Sequence, residues 1–130
     1  MTAETLISIV DDDEFARKGI TRLMKSLGFR VEAFPSAMAF LAFPKIADTA
    51  CLIADVQMPH MTGFELHRRL VTSGHAIPTI LITGYPDEDL RGRAMADGII
   101  CYLTKPFYEN ALIACVQAAL EQSQLREDHS

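Results

Sequence analysis

Short apolar runs alternate along the chain with stretches in which apolar residues recur at helical spacing. Leu6 to Val10 is the first run, and it stops abruptly at Asp11, Asp12 and Asp13. A run this short with polar boundaries reads as a buried strand. Ala16, Ile20, Leu23, Met24 and Leu27 then share one helical face, closed by Gly28, a residue suited to the left-handed position after a helix. Phe29 to Phe34 predicts the second strand, ended by Pro35, and Ser36 caps a short helix carrying Phe40 and Leu41 that Pro44 ends. Cys51 to Ala54 predicts the third strand, so Asp55 stands where it ends. Thr62 and Glu65 have capping-box spacing before a helix with Leu66 and Leu70 on one face, stopped by Gly74. Pro78 precedes the fourth strand, Thr79 to Thr83. Asp87, Glu88 and Asp89 suit the positive end of the next helix, which Gly98 ends. Ile99 to Thr104 predicts the fifth strand, Lys105 and Pro106 follow, and a last helix uses Leu112, Ile113, Val116 and Leu120.

Strands and helices in strict alternation predict an α/β fold with a five-stranded parallel sheet and helices on both faces. Residues 1–122 form the expected domain. EQSQLREDHS loses the apolar spacing, so residues 123–130 are expected to be a tail or the start of a linker.

Composition narrows the classes of function. A length of 130 residues at 49% hydrophobic supports one sizeable core. Twelve Lys and Arg against seventeen Asp and Glu give a net charge of −5, a poor match for nucleic acid or an anionic membrane. Contact with DNA would therefore need an output domain outside this stretch. Cys51, Cys101 and Cys115 have no metal-type clustering and read as small core hydrophobes in a reduced compartment. No apolar run approaches the roughly 18 residues that span a bilayer, and MTAETLISIV lacks the basic start of a signal peptide. A cytoplasmic location with no membrane partner is expected.

The candidate chemistry lies where strands end. Parallel strands present their carboxyl ends on one edge, where open α/β sheets place ligand sites, so Asp11, Asp12, Asp55, Thr83 and Lys105 are expected to converge. Converging carboxylates repel, and a hard divalent cation resolves the conflict; Mg²⁺ suits a few carboxylates with water and phosphate oxygens. Lys105 adds a second positive charge. Such a pocket is arranged for a phosphoryl group, with Asp55 as the carboxylate nucleophile, Thr83 as a hydrogen-bond donor and the small Gly84 leaving the approach open.

On VDDD (Val10 to Asp13), DVQMPHMTG (Asp55 to Gly63), ITG (Ile82 to Gly84) and LTKPF (Leu103 to Phe107), the sequence resembles a response-regulator receiver domain of bacterial two-component signalling from about Leu6 to Leu120. The resemblance implies a flavodoxin-like strand order of 2-1-3-4-5. It implies Asp55 as phosphoacceptor and, as Mg²⁺ ligands (Mn²⁺ as a substitute), the side chains of Asp12 and Asp55 and the backbone carbonyl of Gln57. Asp11 would act through a metal-bound water. Thr83 and Lys105 would hold the phosphoryl group, Tyr102 would be the aromatic that changes rotamer, and the Lys105-Pro106 bond would be cis. Gln57 and Tyr85 would border the site. A bulky Tyr85 is expected to slow hydrolysis of the aspartyl phosphate. The LAF segment at Leu41 to Phe43, with ITG and KPF, resembles receivers joined to LuxR-type helix-turn-helix domains, which points toward transcriptional control.

The function so implied is a switch: a histidine kinase donates to Asp55, and the signal is read on the face of the fourth helix, fifth strand and fifth helix, where an activated homodimer is expected to form. It would modify and reset itself rather than act as a turnover enzyme. An Asp-nucleophile phosphatase is disfavoured because Gln57 cannot serve as the second acid, and a phospho-independent interaction module because every acidic, hydroxyl and lysine position is filled. Plainer readings stand beside these. Asp13 reads as a helix N-cap, Tyr102 as an edge-strand aromatic if not a switch, and His60 as a solvated loop residue; His67, His75 and His129 have no partner at ligand spacing.

Overall fold

The computed structural model of the chain describes residues 4–128, with side chains as far as residue 124. Five parallel strands, β1 (Leu6–Val10), β2 (Arg30–Phe34), β3 (Thr49–Asp55), β4 (Thr79–Thr83) and β5 (Cys101–Thr104), lie in the order β2-β1-β3-β4-β5. Between and after them run α1 (Glu14–Ser26), α2 (Ala37–Leu41), α3 (Gly63–Thr72), α4 (Glu88–Ala96) and α5 (Glu109–Asp128), with a single 3-10 turn at Ile46–Asp48. The expected strand order and helix alternation are both present.

Strand side chains alternate between faces, so a buried parallel sheet builds two cores. Ile7, Ile9, Ile53, Ile80 and Ile82 pack with Ile20 and Met24 of α1 and Leu112, Val116 and Ala119 of α5. On the other face Val10, Leu52, Ala54 and Leu81 meet Phe40 of α2, Phe64, Leu66 and Leu70 of α3 and Ala94 of α4. α4 is the lightly held helix, since Ala94 is its one buried residue and Gly92 weakens its interior.

Local chemistry sets the element ends. Asp13 caps α1 by accepting from the Phe15 N–H, Ser36 caps α2 through the Ala39 N–H, and Thr62 and Glu65 form the reciprocal box that starts α3. Asp87 caps α4 through the N–H groups of Asp89 and Leu90. Gly28, Gly74 and Gly98 all take positive φ just past a helix, where a Cβ would be strained.

Three expectations are corrected. β3 begins at Thr49 rather than Cys51, because the Thr49 hydroxyl is buried and hydrogen-bonded to Ser8 of β1 at 2.7 Å, which lets a polar residue lie inside the sheet. Residues 123–128, expected as a tail or linker start, continue α5 as far as Asp128, because Glu, Gln, Leu and Arg are good helix formers, and residues 129–130 lie outside the described residues. Cys101 and Cys115 are not separate core thiols but are joined in a disulfide, with Cα atoms 5.9 Å apart. Cys101 faces α5 from β5, and Cys115 lies on the buried stripe of that helix. The pairing depends on helix-over-strand register, which spacing along the chain does not reveal. Cys51 alone remains a free core thiol, and burial pushes it up to about 12. The reduced compartment inferred from unpaired thiols loses that support.

The disulfide closes a loop with a separation of 14 residues, for which chain entropy predicts about 3 kcal/mol of stabilisation. Dithiothreitol should therefore lower the calorimetric melting temperature by roughly 10 °C, with alkylation and mass analysis reporting the thiols. Equal melting temperatures for the oxidised and reduced forms would show the cross-link to be energetically idle. A second expectation concerns Gly63, where an added Cβ would collide with the backbone carbonyl of Asp55. Gly63→Ala should cost about 1–3 kcal/mol in urea denaturation by forcing the Asp55 turn and α3 apart.

Candidate functional site

The sheet register assembles the site one strand at a time. Val10 of β1 is level with Ala54 of β3, so Asp11 and Asp55 come next on adjacent strands. Asp55 is level with Ile82 of β4, which puts Thr83 one step further, and Thr83 is level with Thr104 of β5, immediately before Lys105. Lys105 thus starts two strands from β3. Its long side chain crosses the end of β4 to reach both acids: Nζ lies 3.1 Å from Asp55 Oδ2 and 3.3 Å from Asp11 Oδ2. The Lys105-Pro106 bond is cis, as the resemblance implies.

Asp11, Asp12 and Asp55 each offer a carboxylate oxygen, and the three lie within 4.8 Å of one another. Asp11 and Asp55 are buried, whereas Asp12 is exposed. Backbone groups orient the buried pair. The Asp13 N–H donates to Asp11 Oδ1 at 2.9 Å and the Gln57 N–H to Asp55 Oδ1 at 3.2 Å, leaving the other oxygen of each for Lys105. Burial, followed by the nearby Asp55 charge, holds the Asp11 carboxyl above its ordinary range, although the Asp13 N–H and Lys105 oppose this. Burial works against the charge on Lys105, but the hydrogen bond to Asp55 and the Asp11 carboxylate outweigh it and raise the ammonium above its usual value.

Thr83 is fully buried at the rim. Its hydroxyl donates to Gln57 Oε1 at 2.6 Å and accepts the Tyr85 N–H at 3.0 Å, with the Tyr85 carbonyl also near at 3.2 Å. The Tyr85 ring points outward and is 74% exposed. Tyr102 lies on the α4 side of β5 and is only 9% exposed. Burial, then the Asp87 carboxylate, raises its phenol above the ordinary value. Tyr102, the aromatic expected to change rotamer, faces the core beside α4. His60 is an exposed loop residue with φ of 72°.

All five expected site residues, Asp11, Asp12, Asp55, Thr83 and Lys105, therefore meet on one edge. Three contributors were not assigned these roles from sequence. Arg17 donates from Nη1 to the Asp11 carbonyl at 2.7 Å, tying α1 to the end of β1. Gly63 provides the close approach behind Asp55, signalled only by its place at the end of DVQMPHMTG. The Gln57 side chain holds Thr83 across a separation of 26 residues, and no local pattern fixes that rotamer.

Known proteins place this geometry. The family profile described as "Response regulator receiver domain" matches residues 7–117. The response regulator protein TmoT of Ectopseudomonas mendocina is 37% identical over 127 residues, covering 98% of this chain and 58% of TmoT. The transcriptional regulatory protein FixJ of Bradyrhizobium diazoefficiens is 35% identical over 125 residues, covering 95% of this chain and 60% of FixJ. This chain thus spans under two thirds of those relatives. The crystal structure of FixJ-N superposes with a TM-score of 0.82 at 37% identity, covering 90% of this chain and 94% of that one. With its fold, its acidic cup and its lysine all in place, the chain belongs to the response-regulator receiver domain family.

Proposed function

We propose that this domain is a signalling switch that takes a phosphoryl group on Asp55 from a histidine kinase and relays the change to the face formed by α4, β5 and α5. The observation that carries this reading is Lys105 Nζ shared between Asp11 and Asp55 beside a third carboxylate. That donor set suits a hard cation. Asp12 and Asp55 would hold Mg²⁺ directly with the Gln57 carbonyl, and Asp11 through water. The bound ion would supply charge neutralisation for an incoming phosphoryl group.

The residues of the chain divide the remaining work. The Gln57 N–H fixes one Asp55 oxygen, so the other is the nucleophile. Lys105 pairs with that oxygen at rest, and the same ammonium can follow negative charge onto the phosphoryl oxygens. Thr83 supplies one hydroxyl donor from the end of β4. An apolar groove of about 530 Å³, lined by Phe15, Gly19, Ile20, Pro106 and Phe107, opens beside Lys105, and Phe15 is 87% exposed. Its position suits the docking of a kinase that must bring phosphohistidine to the cup. The light anchoring of α4 by Ala94 supports that helix as the responding element. Because TmoT and FixJ are regulators longer than this chain, control of transcription in the cytoplasm through a DNA-binding output domain is the proposed wider role.

Acetyl phosphate with Mg²⁺ should give a stable mass gain of one phosphoryl group that Asp55→Asn abolishes. Continuous release of phosphate with turnover would instead identify a phosphatase, and no reaction an interaction module. EDTA should suppress the gain, and Asp12→Asn should slow it roughly tenfold or more at limiting Mg²⁺. A rate unchanged by both would refute the metal assignment.

A further inference from the structure

We infer that Gln57 is a positioning residue whose side-chain amide latches the Thr83 hydroxyl in the resting domain and thereby sets how readily the switch closes. The inference rests on the phosphorylation reading above and extends it. A threonine hydroxyl carries one proton, and of the two acceptors in reach Gln57 Oε1 at 2.6 Å is nearer than the Tyr85 carbonyl at 3.2 Å, so the Gln57 contact holds it. The Tyr85 N–H at 3.0 Å occupies the acceptor side. Thr83 is fully buried, so bulk water does not compete for that proton. To donate to a phosphoryl oxygen on Asp55, the hydroxyl must first leave Gln57.

The latch sits where it can sense the acceptor. The Gln57 backbone N–H holds Asp55 Oδ1 while its side chain holds Thr83, so one residue links the nucleophile to the responding loop. A phosphoryl oxygen carries more charge than an amide oxygen and is the stronger acceptor, so phosphorylation favours the exchange. Gln57 is only partly buried, and its freed amide can turn to solvent. The latch therefore raises the threshold for closing without blocking it.

Gln57→Met keeps the side-chain length and the backbone carbonyl but removes the amide acceptor. Beryllofluoride with Mg²⁺ serves as an equilibrium phosphoryl mimic, so hydrolysis of an acyl phosphate and water access do not enter the readout. Gln57→Met should bind it about three- to tenfold more tightly than wild type, the worth of one hydrogen bond. The gain should vanish when both are compared in a Thr83→Val background, since the latch then has no partner. Without metal or mimic, the Thr83 methyl resonance should also shift in Gln57→Met. Equal affinities in Gln57→Met and wild type, or the same gain with Thr83→Val, would overturn the latch while leaving the switch reading intact. Wild type that neither binds beryllofluoride nor takes phosphate from acetyl phosphate would overturn both.

Discussion

Repulsion among carboxylates at the edge of the sheet governs the rest of this molecule. Two unit charges about 4 Å apart in an effective dielectric near 20 repel by about 4 kcal/mol, a large share of the 5–15 kcal/mol that typically holds a domain together. Asp11, Asp12 and Asp55 accept that cost because parallel strands deliver them to one edge. Lys105 offsets part of it, reaching past the end of β4 to both buried acids. The resting cup is thus an ion cluster with one lysine among three acids, still net negative. In the proposed switch, bound cations would offset both this resting excess and the further negative charge that a phosphoryl group brings to Asp55.

The two cores explain how a change at this edge can travel. β5 carries alternate residues to opposite faces, so Cys101 and Leu103 look toward α5 while Tyr102 looks toward α4. On the α5 side the strand is fixed covalently to the helix. On the α4 side it meets a helix with one buried residue. Compliance is therefore lopsided: β5 and α5 form a rigid backing, and α4 with the loop before it is the part that can shift.

Much of this was legible in sequence because it is local. Asp13, Ser36 and the Thr62, Glu65 pair announce helix starts through a side chain reaching two or three residues along, and Gly28, Gly74 and Gly98 announce helix ends through φ. The meeting of Asp11, Asp55, Thr83 and Lys105 was legible because strand ends in a parallel sheet share an edge whatever the intervening length. What escaped depends on tertiary register or on a single rotamer. Thr49 belongs to β3 only because Ser8 satisfies it, Cys101 finds Cys115 only because α5 crosses β5 at that height, and Gln57 finds Thr83 only because the loop after β3 passes the end of β4.

Magnitudes limit how such a switch can be thrown. Moving a two-state equilibrium from 1:99 to 99:1 takes about 5.5 kcal/mol of differential interaction, whereas one neutral hydrogen bond nets about 1 kcal/mol. In the proposed switch, redirecting the Thr83 hydrogen bond from Gln57 to a phosphoryl oxygen cannot supply that difference alone. The remainder has to come from the cluster itself, where phosphorylation alters the charge that Lys105 and Asp11 face, and charge-assisted contacts in a low dielectric contribute more than a neutral hydrogen bond does. In that proposal Gln57 is a trim on a transition driven by charge. A residue that contributes about a fifth of the required energy can set the resting population without being able to determine the direction of the response.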